Sequence, residues 1–295
     1  MTEVPEALAE MQRRYGGAAG RAFIELLPAR AAAFLERWEL RRTGDPMHGC
    51  VALALPVERA DGTPAVLKLQ TLDEESAGEP LALRAWGGDG AVRLLDHDPD
   101  TNTLLLERLD SSRHLSSVAD SREAVRILAG LLARLTALPA PGGLRGLGGI
   151  AARMLDETPG AARLLGDESE RRLLLDCAAA VREVAGESGN RLLHWDLHYD
   201  NILAAEREPW LAIDPKPLAG DPGFELMPAL RNRYDPAETR WRFDLLTEAL
   251  GLDRARARAW TLGRVLQNSL WDLEDGERRL AADQREIARA LLGRD

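Results

Sequence analysis

The sequence predicts an α+β chain made of two lobes. Three observations carry this. Extended-strand signals crowd residues 38–109, helical periodicity dominates after Asp110, and 295 residues suffice for about two domains. The expected partition is 1–109 and 110–295.

Residues 3–14 and 20–37 read as helices, split by Tyr15-Gly16-Gly17. In the second, Phe23, Leu26, Leu27, Ala31 and Phe34 follow helical spacing. Five strands are then expected, at 38–42, 50–57, 65–70, 91–96 and 104–109, forming an antiparallel sheet. Asp61-Gly62 is a hairpin signal between the second and third, and Asp98–Asn102 is the turn between the last two. Leu72–Trp86 reads as the one inserted helix, which Pro80 either opens or kinks.

Beyond Asp110, Ala124, Leu128, Leu131, Leu135 and Leu138 form a single stripe over 121–138. Asp120 and Glu123 suit the capping of its first turn. Residues 139–149 read as a flexible Gly/Pro linker. Gly146-Leu147-Gly148-Gly149-Ile150-Ala151 has the letters of a dinucleotide-binding loop, but no strand leads into it. Further helices are expected at 150–157, 168–186, 236–251, 253–275 and 280–292. Leu192–Asp214 breaks the helical pattern with two short apolar runs, 201–204 and 210–213, that would form a hairpin.

The net charge is −10 and both halves are acidic, which argues against general nucleic-acid binding. Cys50 and Cys177 are too few for a disulfide framework or a thiolate zinc site. No apolar run approaches the about 18 residues of a membrane span, so no membrane partner is expected. The acidic N-terminus, interrupted by Pro5, lacks the basic and apolar regions of a secretory signal. The expectation is a cytoplasmic monomer or dimer. Of the 38 basic residues only Lys68 and Lys216 are lysine. Each is either a chance survivor of an arginine-rich composition or a position that needs a compact charge on a flexible stem.

The chemistry concentrates in His194-Trp195-Asp196-Leu197-His198-Tyr199-Asp200-Asn201, with Asp214 thirteen residues on at the end of an apolar strand. Phosphoryl transfer from a nucleoside triphosphate needs such a set. One carboxylate, Asp196, takes the proton of the attacking hydroxyl, while Asn201 and Asp214 hold magnesium. Lys68, on a strand, can reach the phosphates, and Glu79 can pair with it from the following helix, with Glu75 as the rival. Lys216, beside Asp214, is within reach of a phosphate. His194 suits a role in orienting the loop, and Asp200 one in stabilising its turn.

These residues carry a resemblance. With Trp210–Pro217, Gly220–Leu226, Val66–Leu69 and Leu104–Leu109, they make the chain similar to the aminoglycoside phosphotransferase superfamily, small-molecule kinases of two-lobed protein-kinase-like fold. Within it the chain most resembles the streptomycin 6-phosphotransferase, or aminoglycoside/hydroxyurea resistance kinase, branch. The resemblance spans about Trp38 to Asp275. It implies ATP or GTP with Mg²⁺ as cofactors and a small cationic acceptor as partner. It implies that Asp196 is the catalytic base, Asn201 and Asp214 the metal ligands, and Lys68 with Glu79 the phosphate-binding pair. It also implies that the Glu107–Leu109 backbone reads the adenine edge and that Thr43–Gly49, with Gly44 and Gly49, covers the phosphates. Three departures stand out: Trp195 replaces a usual glycine, Pro215-Lys216 follows the metal aspartate, and the phosphate loop is poor in glycine.

The acceptor is expected between the catalytic loop and the C-terminal helices. Candidate contacts are Trp195, His198, Asp221, Trp271, Asp272 and Asp275, the carboxylates of the 271–277 run suiting amino or guanidino groups. Asp221 reads equally as a brace for the loop. The same chemistry on hydroxyurea, a sugar or an amino sugar, and a non-catalytic nucleotide-binding module, stay open as alternatives.

Overall fold

The structure, a computed structural model, describes residues 3–49 and 51–294. The chain divides between Asp110 and Ser111 into two compact units.

The first unit opens with helices α1 (Glu6–Tyr15) and α2 (Gly17–Arg37), followed by β1 (Arg41–Arg42), β2 (Met47–His48), β3 (Ala52–Glu58), β4 (Pro64–Gln70), α3 (Glu79–Trp86), β5 (Leu94–Asp98) and β6 (Thr103–Glu107). The sheet runs β1-β3-β4-β6-β5 with every neighbour antiparallel, and β2 adds to β3. Leu53, Leu55, Val57, Leu67, Leu69 and Leu105 of the sheet share one core with Phe23, Leu27, Ala31 and Phe34 of α2. That burial of leucine and aromatic surface is the main stabilising term for the unit. Arg30 of α2 ties helix to sheet, donating to Thr103 Oγ1 at 3.0 Å and to the Gln70 carbonyl at 3.1 Å.

The expected strand over 38–42 shrinks to Arg41–Arg42, because α2 runs to Arg37 and Glu39 turns the chain in the left-handed region at φ 51°. The 50–57 strand is β3, from Ala52; its expected first residue, Cys50, lies outside the described residues. The 91–96 strand starts later, at Leu94, where the pairing with β6 shifts register. Pro80 opens its helix: α3 begins at Glu79, so the proline falls in the first turn, where its missing N–H is not needed.

The second unit holds β7 (Asp110–His114), which starts at the boundary, α4 (Ser121–Leu135), β8 (Arg145–Gly146), α5 (Leu147–Ala162), α6 (Glu168–Val184), β9 (Arg191–Leu193), β10 (Ile202–Ala204), β11 (Trp210–Ala212), β12 (Leu218–Gly220), α7 (Leu226–Arg231), α8 (Thr239–Ala249), α9 (Arg254–Glu274) and α10 (Ala282–Leu292). Asp120 caps α4, accepting from the N–H groups of Arg122 at 2.8 Å and Glu123 at 3.3 Å. The 139–149 linker reading is corrected. Arg145–Gly146 pairs in parallel with β12, and α5 starts at Leu147 because Leu147, Ile150, Ala151 and Met154 bury one helical face. Two three-stranded sheets, β11-β10-β7 and β8-β12-β9, carry the 194–201 segment between them. Among the described residues no helix is long and apolar enough to cross a membrane.

Candidate active site

In the first unit, strand register places Lys68 between Ala54 of β3 and Leu104 of β6. Its ammonium contacts both Glu79 carboxylate oxygens at 2.7 Å, and Gln70 Nε2 donates to the same carboxylate at 2.7 Å. Both partners are buried, Lys68 6% and Glu79 1% exposed. Glu79, and not Glu75, takes the pairing position because α3 starts there. The segment 43–49 is fixed by strand pairing: Met47 and His48 lie opposite Ala54 and Leu53, and the Gly49 N–H donates to the Ala52 carbonyl at 3.1 Å. Gly44 sits against the Pro56 ring. Of the expected adenine-reading backbone, the Glu107 N–H donates to the Arg93 carbonyl at 2.9 Å. Leu109 lies past the last ladder pair, Ala65–Glu107.

In the second unit, β9 leads into the His194–Asn201 loop. The Asp196 carbonyl organises it, accepting from the His198 N–H at 3.0 Å and from Asn201 Nδ2 at 2.9 Å. Asn201 thereby spends its amide nitrogen on the loop. The β10–β11 hairpin, Ile202 opposite Ala212, is extended by the Ile213 N–H on the Asn201 carbonyl at 2.9 Å. That register brings Asp214 to the same end as Asn201. His194 ties loop to hairpin: its Nδ1 accepts from the Asp196 N–H at 3.4 Å and its Nε2 donates to the Ile213 carbonyl at 3.0 Å. Burial pushes its imidazole down to about 4, so it is neutral and acts as a fixed brace. The Asp200 turn is pinned by Ser116, whose hydroxyl donates to Oδ1 at 2.7 Å.

Trp195 and Asp214 are non-glycine residues in the left-handed region, at φ 68° and φ 59°. Such positions cost about 1–3 kcal/mol each and persist only where surroundings hold them. Trp195 is held on all sides. Its N–H donates to Glu225 Oε1 at 2.7 Å, its ring lies between the guanidiniums of Arg145 and Arg264 at 4.9 and 5.0 Å, and Trp271 packs at 5.9 Å. Glu225 is buried, and burial pushes its carboxyl up to about 7 against the Trp195 N–H and Arg264. Gly223 lets this stretch approach α9, since a Cβ there would meet Ala257 Cα at 2.8 Å.

These two groups set opposing pH responses. Glu225 binds a proton more tightly folded (about 7) than at its ordinary 4.5, so its contribution to stability falls as pH rises through that window. His194 binds one less tightly folded (about 4) than at its ordinary 6.5, so its contribution falls as pH drops through that window. Glu225→Gln removes the first response. The stability of the variant relative to wild type should rise by about 3 kcal/mol from below pH 4.5 to above pH 7, measured by urea unfolding across that range. A pH-independent difference would refute it.

A cavity of about 400 Å³ opens beside Asp196, with His198, Arg231, Asn232, Arg264 and Asn268 in its wall. Of the expected acceptor contacts, His198 lines it. The others lie outside its wall. Trp195 is 2% exposed, packed between arginines. Asp221 is spent as a brace, accepting from the Gly223 N–H at 2.8 Å and pairing with Arg256. Trp271 lies against Trp195, Asp272 accepts from Gln284 Nε2 at 3.0 Å, and Asp275 ends α9 in solvent. Sequence reasoning missed Glu225, Arg264, Asn232 and Asn268. Only Glu225 fell in a quoted motif, and without a role.

The sequence matches the aminoglycoside/hydroxyurea antibiotic resistance kinase family over residues 37–276. It is 65% identical to a hydroxyurea phosphotransferase of Kitasatospora aureofaciens, over 100% of this chain and 87% of that protein. It is 57% identical to a streptomycin 6-kinase of Streptomyces glaucescens, over 99% and 98%. An aminoglycoside phosphotransferase solved with ADP and hygromycin B shares the fold at TM-score 0.60 and 14% identity, over 89% of this chain and 97% of that one. A match across most of the chain, with full-length relatives well above half identical, leaves one assignment: the chain belongs to the aminoglycoside/hydroxyurea antibiotic resistance kinase family, phosphotransferases of the two-lobed protein-kinase-like fold.

Proposed function

We propose that the protein transfers the γ-phosphoryl group of ATP or GTP to a hydroxyl of streptomycin, with Asp196 as the base. The observation that carries this is the loop-and-hairpin arrangement, which presents the Asp196 carboxylate, the Asn201 amide oxygen and the Asp214 carboxylate from one connected network. Asp196 orients the acceptor hydroxyl and takes its proton. Lys68, held by Glu79, neutralises phosphate charge, and Thr43–Gly49 covers the phosphates. The Glu107–Leu109 backbone, at the end of β6, reads the base edge. Catalysis is then positioning and charge neutralisation.

The donor chemistry of Asn201 and Asp214 fits magnesium: both offer hard oxygen, and a magnesium ion takes one or two protein oxygens with phosphates and water. Among the described residues no group of three or more His, Cys, Asp or Glu could hold a metal by itself. When bound, the ion would neutralise the phosphate oxygens.

Streptomycin is supported by the 57% identical streptomycin 6-kinase. Hydroxyurea is a second reading, favoured by the 65% identical relative and by the cavity. Its wall offers guanidinium and amide donors suited to a carbonyl oxygen. Its carboxylate besides Asp196, Asp283, is paired with Arg231 at 2.7 Å, so little negative charge faces a polycation. The test is magnesium-dependent nucleoside diphosphate release with streptomycin, hydroxyurea and a sugar and amino-sugar panel. Phosphorylated streptomycin is the expected product. Turnover with hydroxyurea alone would move the acceptor assignment and keep the chemistry.

A further inference from the structure

Lys216 has a place that the Asp196–Asn201–Asp214 set does not explain. Its ammonium lies 3.4 Å from Asp196 Oδ2. Its backbone N–H donates to the His194 carbonyl at 3.0 Å, so the residue is stapled to the loop at both ends. Pro215 and Pro217 flank it and fix the local backbone direction. The pair faces solvent, with side chains 37% and 26% exposed, whereas Lys68–Glu79 is closed at 8% and 1%. A structural ion pair gains little from that exposure. A pair that must meet an incoming phosphate and hydroxyl needs it. Among 38 basic residues this is one of two lysines. An ammonium is a compact point charge with three donors, able to serve two anions at once in a space where a planar guanidinium would displace the hydroxyl.

We propose that Lys216 is a catalytic residue that bridges the Asp196 carboxylate and the transferring phosphoryl group. This rests on the phosphotransfer reading of Asp196. As the acceptor oxygen bonds to the γ-phosphorus, the bond from phosphorus to the β-phosphate oxygen breaks. The hydroxyl proton passes to Asp196, and the nucleoside diphosphate leaves with the bond's electron pair. Lys216 keeps its protons throughout. It stabilises charge on the phosphoryl oxygens and holds Asp196 toward the hydroxyl, a role larger in the transition state than in the ground state.

The test compares Lys216→Met and Lys216→Arg with wild type in the full-length protein, for kcat, both KM values, ADP affinity by titration calorimetry and melting temperature. Lys216→Met should lower kcat by roughly 10²–10³-fold. The acceptor KM and ADP affinity should stay within about threefold, because uniform binding is not what is lost. Lys216→Arg should recover only part of the loss. A Lys216→Met kcat within about threefold of wild type would overturn the assignment, as would a kcat loss matched by an equal loss of ADP affinity. Wild-type protein inactive on every acceptor would remove the phosphotransfer reading and this role together. Active wild type with an active Lys216→Met removes this role alone.

Discussion

Asp196→Asn is expected to lower kcat by roughly 10²–10⁴-fold, the loss that follows removal of a general base. The substitution is nearly isosteric and spares the surrounding loop. The contacts that shape that loop, from the His198 N–H and Asn201 Nδ2, go to the Asp196 backbone carbonyl and survive it. What disappears is the ability of an outward carboxylate to take a proton, together with the charge that Lys216 faces. The prediction is therefore a fall in kcat with nucleotide affinity and thermal unfolding near wild type. Product formation by mass measurement, beside calorimetric ADP binding, checks both halves. Full turnover in a folded Asp196→Asn protein would remove this residue from the mechanism.

The second large effect is expected from Glu79→Ala, a loss of about 3–5 kcal/mol of stability in the strand-rich unit. The Lys68 ammonium is buried in the sheet and reaches both oxygens of that carboxylate, which also accepts from Gln70. Taking the carboxylate away leaves a positive charge in a low-dielectric setting without its counter-charge. Replacing both partners, as Lys68→Met with Glu79→Leu, should restore part of the stability, because an apolar pair of similar volume removes the unpaired buried charge while the buried Gln70 Nε2 loses its acceptor. It should not restore activity, because no ammonium remains to meet the phosphates. Urea unfolding of the three variants measures the first effect and turnover the second. A Glu79→Ala protein within about 1 kcal/mol of wild type would show that the pair does not hold the unit together.

What the sequence made legible was local. The stripe from Ala124 to Leu135 and the cap at Asp120 lie within one helix, and both were read from spacing. Asp196, Asn201 and Asp214 stand out together because they fall within nineteen positions of chain that a hairpin closes. Pro80 left the local geometry open, with Glu75 as a rival to Glu79, until the helix start at Glu79 settled it. The contacts left unseen join distant segments. The Trp195 N–H finds Glu225, Trp195 finds Arg145 and Arg264, and the Asp196 carboxylate finds Lys216. No periodicity encodes such pairings. The short strands β8, β9 and β12 were equally silent, since two or three residues leave no alternation to read. The acidic run 271–277 was legible as charge alone, and spacing could not show its partners. Its charge pattern suits a cation, yet Asp272 is engaged by Gln284 and Asp275 sits at a solvated helix end.

The near absence of lysine has a consequence for bench chemistry. An amine-directed acylating reagent meets two side-chain targets here, besides the terminal amine, where an average chain of this length offers many. One of the two, Lys68, is shut inside the sheet against Glu79, and the other, Lys216, is more than a third exposed. The protein thus arrives with a nearly single-site handle for a fluorophore or crosslinker, placed against the Asp196 carboxylate. If Lys216 meets the phosphates as proposed, nucleotide should protect that handle, which labelling yield with and without nucleotide would read without any turnover.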